Sequence, residues 1–243
     1  AMVKAFSYGS GTFEVANMLQ YNKVDYLAVA YIDEGVALRQ AGITLPIMVL
    51  NPEVSAFDKL IEYKLEPEIF SFNLLDEFVK YAQLNSLANY PVHIKIDTGM
   101  HRLGFEDFEI DTLCDLLEEN RYVKVQSVFS HFVASDAKEH DDFTRKQIKR
   151  FERSFTKIEK TLGHKVIKHL SNTGGIIRWP SAQYDMVRLG IGLYGVDGSM
   201  PEGSTDLQPI ATLKTSVSQV RKVQANDTIG YNRNGKLKTA GKI

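Results

Sequence analysis

Short runs rich in valine and isoleucine recur along this chain, and each is followed by a stretch with a different period. The runs are MVKAF (2–6), YLAVAYI (26–32), PIMVL (46–50), EIFSF (68–72), VHIKID (92–97), VQSVFSHF (125–132), KVIKHLSN (165–172) and MVRLGIGL (186–193). Between them, stretches such as TFEVANMLQYN, LLDEFVKYAQLNS and DFEIDTLCDLLEEN place apolar residues at i, i+3, i+4 and i+7. That spacing predicts helices with one buried face. Continuous apolar strands alternating with amphipathic helices define an α/β fold with a parallel sheet. Eight such units in under 200 residues predict a closed (β/α)8 barrel of the TIM type over residues 1–200.

The pattern changes after Gly195. GVDGSMPEGSTDLQP is rich in glycine, proline and serine and reads as a linker. ATLKTSVSQVRKVQ then alternates polar and apolar residues, and turn signals follow in NDTIGYNRNGKLK. We expect the start of a C-terminal β domain over 206–243, and expect the chain to be a piece of a longer protein.

Lysine and arginine total 29 against 30 acidic residues, a net charge of −1, which argues against a nucleic-acid partner. No apolar run approaches the roughly 20 residues of a membrane span. Cys114 is the only cysteine, so no internal disulfide is possible, and a reducing cytoplasmic compartment is expected.

In a barrel of this kind the active site lies at the carboxyl-terminal ends of the strands. Polar residues expected there are Lys4, Ser7 and Tyr8, then Lys95, Asp97 and Arg102, then His131, then His169, Ser171, Asn172 and Thr173, and finally Arg188. Two lysines, two arginines and two histidines converge with one evident carboxylate, so the mouth suits an anionic ligand. Loops after strands seven and eight, SNTGG and RLGIG, match the usual phosphate site of the fold. A lysine across the mouth from a phosphate site suggests pyridoxal 5'-phosphate, which offers an aldehyde to the one and a phosphate to the other. GIGLYG (190–195) fits a dinucleotide-binding pattern, but a linker rather than a helix follows it, and that reading is rejected. The acids of HFVASDAKEHDD are expected at the start of a helix, and no metal site is assigned.

MVKAFSYGSG, HIKIDTGMHRLGF, SHFVASD, HLSNTGG, VRLGIGLYG and TIGYNRNG resemble, in order and spacing, the successive motifs of the alanine racemase family. The resemblance runs from residue 2 to about 235. It implies a pyridoxal-phosphate enzyme that interconverts L-alanine and D-alanine for peptidoglycan synthesis, working as a cytoplasmic homodimer on a small amino-acid substrate. It implies that Lys4 carries the cofactor covalently and is one of two bases, and that Tyr231 is the second, acting from the partner subunit with His131 tuning it. Tyr8, Thr173, Gly190 and Ile191 would hold the phosphate, with Asn172 and Tyr194 beside them. Arg188 would face the ring nitrogen, and an arginine cannot give its proton up to it. His169 would orient Arg188. Arg102 and the amide of Met100 would bind near the substrate carboxylate. Lys95 matches a lysine carbamylated in some members; a carbamate holding Arg102 and a plain ion pair with a carboxylate both remain open. Asn232 stands where the family often has glycine. The same barrel also serves basic amino-acid decarboxylases, from which Arg188 distinguishes this chain, and small pyridoxal-phosphate homeostasis proteins, from which the segment after 206 distinguishes it. A fusion of the parent chain to a cell-wall ligase remains open.

Overall fold

The computed structural model describes residues 1–198 and 207–243. They fall into two compact units, Ala1–Ile210 and Ala211–Ile243.

In the first unit, six strands pair in parallel and in chain order. They are β1 (Leu27–Val29), β2 (Ile47–Val49), β3 (Glu66–Ile69), β4 (Tyr90–Lys95), β5 (Val123–Phe129) and β6 (Ile167–His169). Helices follow them on the outside: α1 (Thr12–Tyr21), α2 (Ile32–Gln40), α3 (Phe57–Glu62), α4 (Phe72–Leu84), α5 (Ile110–Glu118), α6 (Asp141–Leu162) and α7 (Thr173–Arg178). The first and last expected strands shrink to single bridges, Met2 to Ala28 and His169 to Met186. They still close the ring, because the Met2 amide donates to the Leu189 carbonyl at 2.9 Å. The expected (β/α)8 barrel is therefore present.

The reason for the short first stave lies in the residues after it. Ala5, Phe6, Ser7 and Tyr8 all adopt left-handed φ angles between 51° and 55°, and Gly9 follows at 88°. Lys4 thus opens a left-handed turn over Lys4–Tyr8 rather than ending a strand. Each L-residue in that conformation costs roughly 1–2 kcal/mol. Glu34, at the start of α2, holds the turn. Its carboxylate accepts the amide of Ala5 at 2.7 Å through Oε1 and that of Ala30 at 2.6 Å through Oε2.

Two cores result. The larger one lies between strands and helices and includes Val3, Val29, Ile47, Phe57, Phe78, Ile94, Phe105, Val128 and Phe151. The smaller one, Met2, Ala28, Met48 and Phe129, fills one side of the barrel lumen. The other side is polar, because alternate residues of β3 to β6 point the same way. Glu66, Glu68, His93, Lys95, Ser127 and His169 belong to that set, and all but Glu66 are buried.

The second unit holds two short antiparallel pairs. β7 (Lys222–Val223) pairs with β10 (Gly241–Lys242), and β8 (Thr228–Ile229) with β9 (Gly235–Lys236). The alternation expected over 211–220 gives no strand there. Part of the expected linker, 199–206, lies outside the described residues.

Candidate active site

A cavity of about 420 Å³ opens at the carboxyl-terminal end of the barrel strands. Of the residues singled out from sequence, Lys4, Tyr8, Lys95, Met100, Arg102, His131, Asn172, Thr173, Arg188, Gly190 and Ile191 line it. His169 lies buried behind Arg188, and the Tyr194 ring packs on Tyr8 at 4.9 Å. Tyr231 belongs to the second unit, in a tight turn between β8 and β9, where it is 98% exposed.

Arg188 is fixed from several sides. One amino group, Nη1, donates to His169 Nδ1 at 2.8 Å. The other, Nη2, donates to the Ser130 carbonyl at 2.5 Å and the Leu170 carbonyl at 3.1 Å, and lies 3.2 Å from His131 Nδ1. The guanidinium carbon sits 5.0 Å from the centre of the Phe129 ring. Burial pulls its pKa down to about 10, so it remains a cation at neutral pH. The same burial, and then the charge of Arg188, holds His131 and His169 well below the usual imidazole range. Both are neutral at pH 7. Gln147 braces the His131 loop by donating to the His131 carbonyl and to Thr98 Oγ1, both at 3.1 Å.

Across the mouth, Thr173 Oγ1 accepts the amides of Gly190 at 3.3 Å and Gly192 at 3.1 Å. The approach is so close that a Cβ on Gly192 would lie 2.6 Å from Thr173 Cγ2. A Cβ on Gly190 would point at the Tyr8 hydroxyl, 3.4 Å away. Two glycines, a threonine and a tyrosine thus form a small cradle with backbone near its surface. Such a cradle beside four cationic side chains suits a phosphate-bearing ligand with a carbonyl for Lys4.

Two features qualify the sequence reading. Lys95 is paired: its Nζ lies 2.9 Å from Glu68 Oε1, with both side chains buried. Glu68 is a second carboxylate at the site, where sequence reasoning counted only Asp97. Burial pushes Glu68 up and Lys95 down, each opposed by the other's charge. Asp97 instead shapes the following loop, accepting the amides of Gly99 at 2.7 Å and Met100 at 2.9 Å through Oδ1. The Met100 amide is therefore already engaged.

A (β/α)8 barrel with a cationic mouth and a glycine cradle beside the first stave defines a TIM-type barrel protein with its pocket at the carboxyl-terminal strand ends. Comparison with known proteins narrows that class. Residues 1–198 match the family described as alanine racemase, N-terminal domain. The chain is 36% identical over 236 residues to the alanine racemase of Treponema denticola, covering 95% of this chain and 62% of that protein. Its fold matches the alanine racemase of Clostridium difficile 630 with a TM-score of 0.85 at 31% identity, over 99% of this chain and 63% of the other. The alanine racemase of Bartonella henselae, solved with covalently bound pyridoxal phosphate, matches with a TM-score of 0.87. It covers 99% of this chain and 66% of its own, and its 24% identity supports the fold alone. The chain belongs to the alanine racemase family. It spans about 62% of the length of the curated relatives it matches.

Proposed function

We propose that this chain is the cofactor-binding barrel of an amino-acid racemase that interconverts L- and D-alanine and uses pyridoxal 5'-phosphate held on Lys4. The observation that carries the reading is the gathering at one barrel mouth of Lys4, Arg188 and Arg102 with Tyr8, Thr173, Gly190 and Ile191. Bound there, the cofactor withdraws electrons from the substrate's alpha carbon and so acidifies its proton.

The residues then divide the work. Tyr8, Thr173 and the Ile191 amide bind the phosphate beside Gly190, with Asn172 and Tyr194 behind them. Arg188 binds the ring nitrogen as a donor that keeps its proton, since burial lowers its pKa only to about 10. His169 orients it through Nδ1. Arg102 neutralises the substrate carboxylate. Lys4 would take or return the alpha proton on one face. The base for the opposite face is assigned to Tyr231 by family resemblance. The Glu68 ion pair supports Lys95 as an ammonium rather than a carbamate. A homodimeric, cytoplasmic enzyme supplying D-alanine to peptidoglycan completes the reading, and the share of the relatives spanned makes the whole protein the object to test.

The test is D-alanine formation by the full-length protein with added cofactor, measured alongside Lys4→Ala. Turnover that the substitution abolishes is expected. Carbon dioxide release from lysine or arginine would make it a decarboxylase, and cofactor binding without turnover of any amino acid would make it a homeostasis protein.

A further inference from the structure

Arg188 is one end of a hydrogen-bonded chain that crosses the barrel lumen. His169 Nδ1 lies 2.8 Å from Arg188 Nη1, and its Nε2 lies 2.9 Å from Ser127 Oγ. Ser127 Oγ is 2.6 Å from His93 Nδ1, and His93 Nε2 is 2.9 Å from Glu66 Oε2. Tyr26 donates to the same carboxylate oxygen at 3.2 Å. Ser127, His93 and His169 are 0% exposed. Glu66 is the first residue of β3 and His169 the last of β6, so the chain runs from the amino-terminal rim of the barrel to the pocket at the opposite end.

The direction of every bond in it follows from its ends. A guanidinium only donates, so His169 Nδ1 must accept and His169 Nε2–H must donate. Ser127 Oγ accepts that hydrogen and has one of its own to place, and His93 Nδ1 is the acceptor at hand. His93 Nε2–H then donates to the Glu66 carboxylate, which only accepts when ionised. The reverse arrangement, with His93 Nδ1–H donating, strands the buried Ser127 hydrogen without an acceptor. One assignment therefore satisfies all the groups: both imidazoles neutral, both carrying hydrogen on Nε2.

We propose that Glu66, His93 and Ser127 are positioning residues for Arg188: the Glu66 carboxylate at the far rim fixes the tautomers of His93 and His169 through Ser127, and so fixes the guanidinium at the pocket. What Arg188 does there rests on the racemase reading; the relay rests on the lumen geometry alone.

Long-range proton–nitrogen correlation spectra of the cofactor-free protein, labelled in histidine and arginine, test it. The wild type is expected to show His93 and His169 as neutral Nε2–H tautomers. Glu66→Ala is expected to shift the ring nitrogens of His169 and the guanidinium signals of Arg188, although Glu66 touches neither. Ser127→Ala should break the relay, so that Glu66→Ala has no further effect on His169 in that background, and Ser127→Thr should restore the transmission. In the full-length enzyme kcat should fall about tenfold for Glu66→Ala and Ser127→Ala, and stay within about twofold for Ser127→Thr. A wild-type His169 that carries hydrogen on Nδ1, or a Glu66→Ala spectrum altered only at His93 and Tyr26, overturns the proposal. A protein that racemises nothing but shows the remote shifts would remove the racemase reading and leave the relay standing.

Discussion

Glu68 Oε1 lies 2.9 Å from Lys95 Nζ on neighbouring strands, and the two side chains are 0% and 8% exposed. A charge pair so deeply buried is costly to break from one side, because the survivor has no water to turn to. Glu68→Leu is expected to lower unfolding stability by about 3 kcal/mol, and adding Lys95→Met should recover most of the loss. Urea unfolding of the two single variants and the double variant measures this. A double variant no more stable than Glu68→Leu would show that the two side chains are not coupled. The pair also predicts no carbamate carbon signal when the protein is equilibrated with labelled carbon dioxide.

Thr173→Val keeps the shape of the side chain and removes the oxygen that accepts the Gly190 and Gly192 amides. Unmade buried hydrogen bonds of this kind cost about 1–3 kcal/mol each. Cofactor affinity, followed by absorbance titration, should weaken at least about tenfold. Unchanged affinity would remove the cradle from the phosphate-binding role.

His131 and His169 stay neutral in the folded protein below the usual imidazole value of 6.5, through burial first and then Arg188. Above that pH neither state of the protein binds the proton, and the two histidines add no pH dependence. Below it the unfolded chain takes up protons that the folded chain refuses, so their contribution to stability falls as the pH falls. The slope is about 1.4 kcal/mol per pH unit for each histidine. Urea unfolding at pH 7.5 and 5.5 should differ, with the lower stability at pH 5.5. Equal stability at the two values would contradict neutral, buried imidazoles.

Tyr231→Phe keeps the ring of an exposed side chain and removes only its hydroxyl, so cofactor affinity is expected to stay within about twofold. Its racemisation rate decides the role that resemblance gives it. A second base should lose at least about 100-fold in kcat, and a smaller loss takes Tyr231 out of the reaction.

Much of this was legible from the sequence, for reasons that can be named. Periodicity revealed the barrel because each stave is buried on both faces and reads as a continuous apolar run, as in IMV of β2 and LAV of β1. The first and last staves came out shorter, since neither the left-handed turn after Lys4 nor the glycine loop at Gly190 leaves a signal in hydrophobic pattern. Lys4, Arg188 and Thr173 were found through motifs with loop glycines. Glu66, Glu68, His93 and Ser127 were missed. Their signal was present: LEPEI and VHIKI each set two charged or titratable residues two apart on one face of a buried strand. Which carboxylate meets which base depends on register: with the Cα of Glu68 aligned to that of His93, Glu66 reaches His93 and Glu68 reaches Lys95, and register is set by the whole sheet rather than by either strand. Glu34 was invisible for the same reason, since it meets Ala5 across 29 residues.

Every role proposed for the pocket depends on Lys4 holding the cofactor. Borohydride reduction of the protein loaded with pyridoxal 5'-phosphate, followed by peptide mass spectrometry, tests it without requiring turnover. One modified peptide is expected, with the added mass on Lys4, and no adduct in Lys4→Ala. An adduct on Lys95 or any other lysine, or none at all from protein that has bound the cofactor, would contradict it.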